Sequence, residues 1–218
     1  MSPLFSLLLA TTNRGKLAEL GKLLGDLPVE LVSLGAALPG RAQAVEDGAT
    51  LEENAWIKGR AAASASMLVT LAEDSGLEVD ALGGRPGVRS ARFAGEGATD
   101  AENNAALIEA LNEIDDDQRG ARFRCVMVLI DPFAEGDARE QKSEGRCEGM
   151  ITRVPRGAGG FGYDPLFVVT DKGRTMAELD EQEKSEVSHR GRAALAMRPA
   201  LEALIARRLA EAARIAGA

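Results

Sequence analysis

The chain has 218 residues, of which 45% are hydrophobic and 4% aromatic, and its formal net charge is -8. It is too short for two ordinary domains and too rich in aliphatic residues for a disordered chain, so residues 1–218 are predicted to form one domain with two lobes. Polynucleotides are poor partners for so acidic a chain, because it gains little from counterion release, whereas a small polyanion held by a few local cations remains compatible.

The first predicted unit is a strand, a polar turn and a helix. Residues 4–10 are an apolar run of strand length, and residues 17–24 carry leucines at helical spacing. Thr12 or Asn13 can cap this helix, whose free amide groups can then face an anion. The apolar run has no basic leader and no segment approaches membrane-spanning length, so we expect a cytoplasmic protein.

A second helix and a buried strand are predicted next. Thr50 and Glu53 have the spacing of a capping box, and the alanine-rich stretch up to Ala65 favours a helix. Residues 67–72 form an apolar run that is typical of a buried strand. Glu73 and Asp74 extend this strand, and the small residues Ser75 and Gly76 predict a turn after it.

The remaining elements alternate between helix and strand. Thr99 and Glu102 form another capping box before a helix, and Ser188 can cap a long final helix in which Pro199 imposes a kink or a new start. Strands are predicted at 123–130 and 167–169, with a half-exposed ribbon of no clear period at 139–151. This order predicts a mixed α/β sheet layered with helices.

Polar clusters lie where predicted strands or turns meet helices, which is where α/β folds place ligand sites. The first cluster is the turn formed by Thr11, Thr12, Asn13, Arg14, Gly15 and Lys16. A helix amino end of this kind suits a phosphate, although the spacing is not that of a Walker loop. An ordinary helix cap is an equally good interpretation of the turn by itself.

Carboxylates near a lysine form the second and third clusters. Glu46 precedes Lys58, and a carboxylate near a lysine can hold Mg²⁺ beside a phosphate. A charge in a loop is the alternative interpretation of Glu46. Asp74 follows Glu73 at the end of an apolar strand, where a carboxylate can ligate Mg²⁺ and deprotonate a water. A turn-forming aspartate is the less favoured alternative for Asp74.

The fourth cluster combines a glycine-rich loop with the start of the last helix. Glycines allow close backbone approach, and Phe161 or Tyr163 can stack on a base. His189 and Arg190 can donate hydrogen bonds to the same base. These residues together predict a base pocket, whereas a surface histidine beside a cap explains His189 equally well on composition alone.

In order, and along nearly the whole chain, these blocks resemble the Ham1-like family of inosine triphosphate pyrophosphatases, which act on non-canonical purine nucleoside triphosphates. The matching blocks are residues 11–16, 46–55, 73–77, 82–93, 159–165 and 188–190. The chain departs from many members at Val45, where they carry a second acid beside the residue at 46. This departure puts one metal-binding carboxylate in doubt.

The resemblance implies an elongated, two-lobed α/β fold with a central mixed sheet flanked by helices and the active site in the cleft between the lobes. It also implies a homodimer that uses Mg²⁺ to hydrolyse ITP, dITP and XTP to monophosphate and pyrophosphate, which cleanses the nucleotide pool. Asp74 would be the proton acceptor and a metal ligand, with Glu46 as a second ligand. The substrate-binding residues would be Thr11, Thr12, Asn13, Arg14, Gly15, Lys16, Lys58, Ser75, Phe161, Gly162, Tyr163, Asp164, Lys184, His189 and Arg190.

Two other functions are compatible with these residues. A non-catalytic nucleotide-binding or sensing module needs the phosphate turn and the base pocket but no carboxylate at position 74. A pyrophosphatase for other modified nucleotides would differ in substrate profile. Because His189 and Arg190 can donate to a carbonyl oxygen, we predict a preference for 6-oxo purines over adenine.

Overall fold

The computed structural model describes residues 5–41 and 44–216. Its strands are β1 (Ser6–Leu9), β2 (Glu30–Ser33), β3 (Val69–Val79), β4 (Gly120–Ile130), β5 (Glu140–Ile151) and β6 (Phe167–Val169). Its α-helices are α1 (Arg14–Leu23), α2 (Leu34–Ala37), α3 (Leu51–Ser66), α4 (Asp100–Ala110), α5 (Glu181–Val187) and α6 (His189–Ala216). None of the described helices is long and apolar enough to cross a membrane.

The strands form one mixed sheet in the order β2-β1-β3-β4-β5-β6. β1 pairs in parallel with both β2 and β3, whereas β3, β4, β5 and β6 pair successively in antiparallel fashion. Helices cover the sheet, with α6 packed on β4 and β5 and α3 packed on β3 and β4. The predicted mixed α/β architecture is therefore confirmed.

The long strand β3 pairs with its parallel neighbour β1 only over its first three residues. β1 pairs with β3 only up to Leu71, while β4 stays paired with β3 as far as Val79. The small-residue turn predicted after Glu73 and Asp74 is therefore wrong, because Ser75 and Gly76 also lie inside β3. The antiparallel partner supplies their backbone hydrogen bonds, and this pairing overrides the local preference of acidic and small residues for turns.

Separate groups of buried side chains define the two lobes. In the first lobe, strand alternation sends Leu7 toward α1 and α6 and Leu8 toward α3, and both leucines are fully buried. In the second lobe, Leu77, Leu107 and Phe167 form a core between α4 and the far halves of β3, β4 and β5. Because β3 and β4 contribute to both cores, the two lobes share one sheet.

Several helix predictions are confirmed and two need correction. Thr99 and Glu102 form the predicted capping box at α4. At α3, Thr50 accepts from the N–H of Glu53, but the Glu53 carboxylate bonds the N–H of Ala49 (2.6 Å) instead of Thr50. Pro199 lies inside α6, which continues as one helix from His189 to Ala216. Of the two outcomes predicted at Pro199, a new helix start is therefore not observed.

The segment 139–151, expected to be a ribbon without clear period, contains the twelve-residue strand β5 with strict alternation of buried and exposed residues from Ser143 onward. Its buried positions include Gly145 and Gly149. A Cβ on Gly145 would lie 2.1 Å from the carbonyl oxygen of His189, so the close approach of α6 requires glycine there. Because serine and glycine occupy several buried positions, the hydrophobicity of the sequence does not show the two-residue period of the strand.

Candidate active site

A cleft of about 520 Å³ separates the lobes. A cavity of this size can hold a nucleotide. The predicted site residues that line it are Thr11, Thr12, Asn13, Lys16, Glu46, Lys58, Asp74, Ser75, Phe161, Gly162, Tyr163, Asp164, Lys184, His189 and Arg190. Of the predicted residues, Arg14 and Gly15 do not line it, and Arg14 is exposed. The fold thus brings the four sequence clusters to one place.

A buried lysine joins the two carboxylates predicted to bind metal. Lys58 Nζ lies 2.7 Å from Asp74 Oδ1 and 3.0 Å from Glu46 Oε2. Burial raises the pKa of the Asp74 carboxyl, and Lys58 offsets this only in part. Burial opposes the charge of Lys58, but Asp74 and Glu46 outweigh it and raise the pKa of the lysine. The cluster therefore presents a charged lysine between two acidic groups.

Helix α3 holds both sides of this cluster. Asn54, one turn before Lys58, is buried and accepts a hydrogen bond from the N–H of Gly48 (2.9 Å). This bond ties the loop that carries Glu46 to the helix that carries Lys58. Asn54 and Lys58 are both buried and lie four residues apart, so they project from the same side of α3.

Glu73, which we did not assign to the site from sequence, is the buried anion beneath it. Its carboxylate contacts Lys16 Nζ at 3.0 Å and Arg190 Nη2 at 3.1 Å, and accepts from Cys125 Sγ at 2.9 Å. Burial opposes ionisation, but the Arg190 and Lys16 charges outweigh it and hold the pKa of Glu73 well below its usual range. The sequence signal for Glu73 was its position next to Asp74 in a strand. Because successive strand residues point to opposite faces of the sheet, Glu73 lies on the other face from Asp74.

The turn at residues 11–16 is built around the start of α1. Asn13 is the N-cap residue, and its Oδ1 accepts from the N–H of Lys16 (3.1 Å). Thr11 Oγ1 accepts in turn from the N–H of Asn13 (3.1 Å). The helix amino end, with its partial positive charge, and the Lys16 side chain both reach the cleft, which suits an anionic ligand.

Gly15 supports the cleft from behind. An ideal Cβ on Gly15 would lie 2.6 Å from Cδ1 of Phe161, so the aromatic ring packs directly on the first turn of α1. Phe161 also lies beneath the Lys184 ammonium, 5.1 Å from its ring centroid. The absence of a side chain at position 15 therefore sets the position of an aromatic ring that faces the cleft.

Alanine substitutions of two glycines of α1 are expected to have opposite effects. Gly21 has no neighbour within 4 Å of an ideal Cβ, so Gly21→Ala should stabilise the protein by about 0.5–1 kcal/mol through reduced backbone entropy. Gly15→Ala should give no such gain, because it displaces the Phe161 ring, and should raise KM for the nucleotide about fivefold. Thermal unfolding and KM measured on both variants check this; equal behaviour of the two would contradict it.

Aromatic rings and His189 form one part of the cleft wall. The His189 imidazole stacks on Phe123, with ring centroids 4.8 Å apart. Burial and the adjacent Arg190 charge hold the pKa of His189 well below its usual range, so the ring is neutral. Within the described residues, the buried Nδ1 of His189 has no hydrogen-bond partner.

Arg190 and Lys184 belong to one network of ion pairs. Lys184 Nζ lies 2.6 Å from both Asp164 and Glu19, and Glu19 also pairs with Arg190. Arg190 Nη2 donates to Ser75 Oγ at 3.1 Å in addition to Glu73. The Arg190 guanidinium lines the cleft but is held by two carboxylates. Its donation to a base carbonyl stays a prediction.

The fold and the cleft define an α/β protein with a helix amino end suited to phosphate, an acid–lysine cluster and an aromatic pocket with a neutral histidine. The chain matches the Ham1 family over residues 7–200. The chain belongs to that family.

Named relatives and solved structures agree with this assignment. The chain is 50% identical over 187 residues to a dITP/XTP pyrophosphatase of Desulforamulus reducens, spanning 86% of this chain and 90% of that protein. It is 49% identical over 185 residues to the dITP/XTP pyrophosphatase of Escherichia coli K12, spanning 85% and 92%. The structure of a HAM1 protein from Coxiella burnetii superposes with a TM-score of 0.80 at 44% identity, covering 91% of this chain and 98% of the other.

Proposed function

We propose that this chain hydrolyses the non-canonical purine nucleoside triphosphates ITP, dITP and XTP to the nucleoside monophosphate and pyrophosphate. Relatives that are about half identical over most of the chain are named dITP/XTP pyrophosphatases. The observation that carries the proposal is the position of Asp74, which lines one cleft together with the phosphate turn and with His189. A triphosphate bound with its base toward His189 would extend its phosphates toward Lys16 and Asp74.

The proposed reaction is attack of water on the α-phosphorus. Asp74 orients the water and accepts its proton, a new bond forms from the water oxygen to the α-phosphorus, and the bond from that phosphorus to the bridging oxygen breaks. Pyrophosphate leaves with the electron pair. Lys16, Lys58 and Lys184 stabilise the negative charge that develops on the leaving group, because fixed cations act strongly where the cleft excludes water.

Magnesium fits the donors that the cleft offers. Asp74 and Glu46 each place a carboxylate oxygen within 3.0 Å of the Lys58 ammonium, so two hard oxygen donors lie close together in the cleft. Mg²⁺ is commonly held by one or two carboxylates together with substrate oxygens. No group of three or more His, Cys, Asp or Glu side chains suited to a metal occurs among the described residues. When bound, Mg²⁺ would neutralise phosphate charge and polarise a coordinated water.

A panel of nucleotides with and without a chelator tests the function. We expect release of pyrophosphate from ITP, dITP and XTP in the presence of Mg²⁺. The kcat/KM for ATP should be at least about a hundredfold lower than the kcat/KM for these three nucleotides. Chelation should abolish activity and added Mg²⁺ should restore it. Binding of ITP without turnover would support a sensing module instead, and preference for methylated or other modified nucleotides would support the second alternative.

We also propose that the protein works as a cytoplasmic homodimer. The family resemblance supports this assembly. Sedimentation equilibrium would measure the assembly directly.

A further inference from the structure

Both backbone polar groups of Gly162 are held by side chains of helix α4. The N–H of Gly162 donates to Asp100 Oδ2 at 2.7 Å, and Asn104 Nδ2 donates to the carbonyl oxygen of Gly162 at 2.9 Å. Asp100 and Asn104 are one helical turn apart, so they project from the same face of α4. We call these two hydrogen bonds the α4 clamp.

The clamp acts on the loop of residues 160–164, here called the base loop. Gly162 has φ of +61°, a left-handed conformation that glycine adopts at little cost, and its N–H and C=O both turn toward α4. Next to it, Tyr163 Oη donates to the carbonyl oxygen of Ser90 (2.9 Å). On its other side the loop packs on Gly15 through Phe161. The clamp therefore sets how far Phe161 and Tyr163 reach into the cleft.

Asn104 is placed at some cost to stability. Its Oδ1 is buried and, within the described residues, has no hydrogen-bond partner. A buried unsatisfied oxygen destabilises a protein, so an apolar residue would serve better if packing were the requirement. Its bond to the carbonyl oxygen of Gly162 explains why an amide stands here.

We propose that Asp100 and Asn104 are positioning residues that fix the base loop and thereby set nucleobase affinity and selectivity. The inference rests on the proposed function, because it takes the base loop to contact the nucleoside. The clamp does not touch Asp74, Lys58 or Glu46. Its loss should therefore act on KM and on discrimination between bases, with kcat for ITP largely retained.

The test measures kcat and KM for ITP and GTP on Asn104→Ala and Asp100→Ala. We expect about tenfold higher KM for ITP in each variant, kcat within about twofold, and a smaller ratio of ITP to GTP activity. Asp100→Asn keeps an acceptor oxygen and should retain near-normal KM. Glu109→Ala, at an exposed position of the same helix, is the matched control.

A second measurement follows the loop directly. Hydrogen exchange of the amide of Gly162 should accelerate in Asp100→Ala and stay slow in Asp100→Asn, whereas a general loss of stability would accelerate exchange throughout α4. If Asn104→Ala does not fold, Asp100→Ala carries both measurements. Unchanged KM and unchanged selectivity in a variant with accelerated exchange would overturn the proposal. If the wild-type protein releases no pyrophosphate from ITP, it is the proposed function that fails, while the exchange results still report whether the clamp holds the loop.

Discussion

Asp74→Asn is expected to lower kcat for ITP by about 10²–10⁴-fold while the protein stays folded, because it removes the positioned base. Asn is nearly isosteric with Asp and keeps an oxygen that can accept the hydrogen bond from Lys58, now 2.7 Å long. The buried lysine therefore keeps a partner, and Glu46 still neutralises it. Initial rates of pyrophosphate release, with thermal unfolding as the measure of folding, check the expectation.

The matched control for this variant is Asp80→Asn, six residues further along the chain. Asp80 makes an ion pair with Arg122, its side chain is half exposed, and it does not line the cleft. The control should turn over ITP at the wild-type rate. A folded Asp74→Asn protein with near-normal kcat would show that another group activates the water.

Glu73→Gln is expected to give the largest loss of stability, about 3–5 kcal/mol in the free energy of unfolding. The substitution leaves the fully buried Arg190 with Glu19 as its remaining carboxylate partner. It also removes the carboxylate charge that lies 3.0 Å from Lys16 Nζ. Removing one partner of a buried ion pair is costly because the other charge stays desolvated. Urea unfolding of the variant and of the wild type measures the difference.

The same residue makes stability depend on pH in a defined direction. The pKa of Glu73 is well below its ordinary value of 4.5 in the folded protein, so its ionised form stabilises the fold at any pH above that value. This contribution declines as the pH falls below 4.5 toward the folded pKa, where the native carboxylate also takes up a proton. Glu73→Gln should flatten this acid limb of the unfolding curve. Glu202→Gln, which removes an exposed partner of Arg198, should leave the limb unchanged.

Local patterns predicted the helices and several strands. The N-cap at Asn13 was one of two residues expected, and the cap at Thr99 was placed correctly, because capping depends on residues within one helical turn. The strand at 167–169 was also placed correctly. By contrast β2 and α2 were not predicted. Each is four residues long, which gives too few positions for a period to be read.

Chemistry and order predicted most of the cleft. Residues of the four polar clusters meet in one cavity, as expected when motifs lie at the ends of adjacent elements. The supporting residues Glu19, Glu73, Asp100 and Phe123 were not assigned to the site. Glu19 and Asp100 resemble any other charge on a helix until the fold places Lys184 and Gly162 against them.

The sequence by itself determined the α/β class, the caps, the acid at position 74 and the blocks that identify the family, because each depends on neighbours a few residues away. Only the tertiary structure decided that β3 continues beyond Asp74 to Val79 and that β5 is a regular strand. The reason is that the backbone hydrogen bonds of Glu73–Gly76 come from β4, about fifty residues away, and that the backbone of α6 packs against Gly145 of β5. Pairing and close packing between distant segments leave no mark on the local pattern of either one.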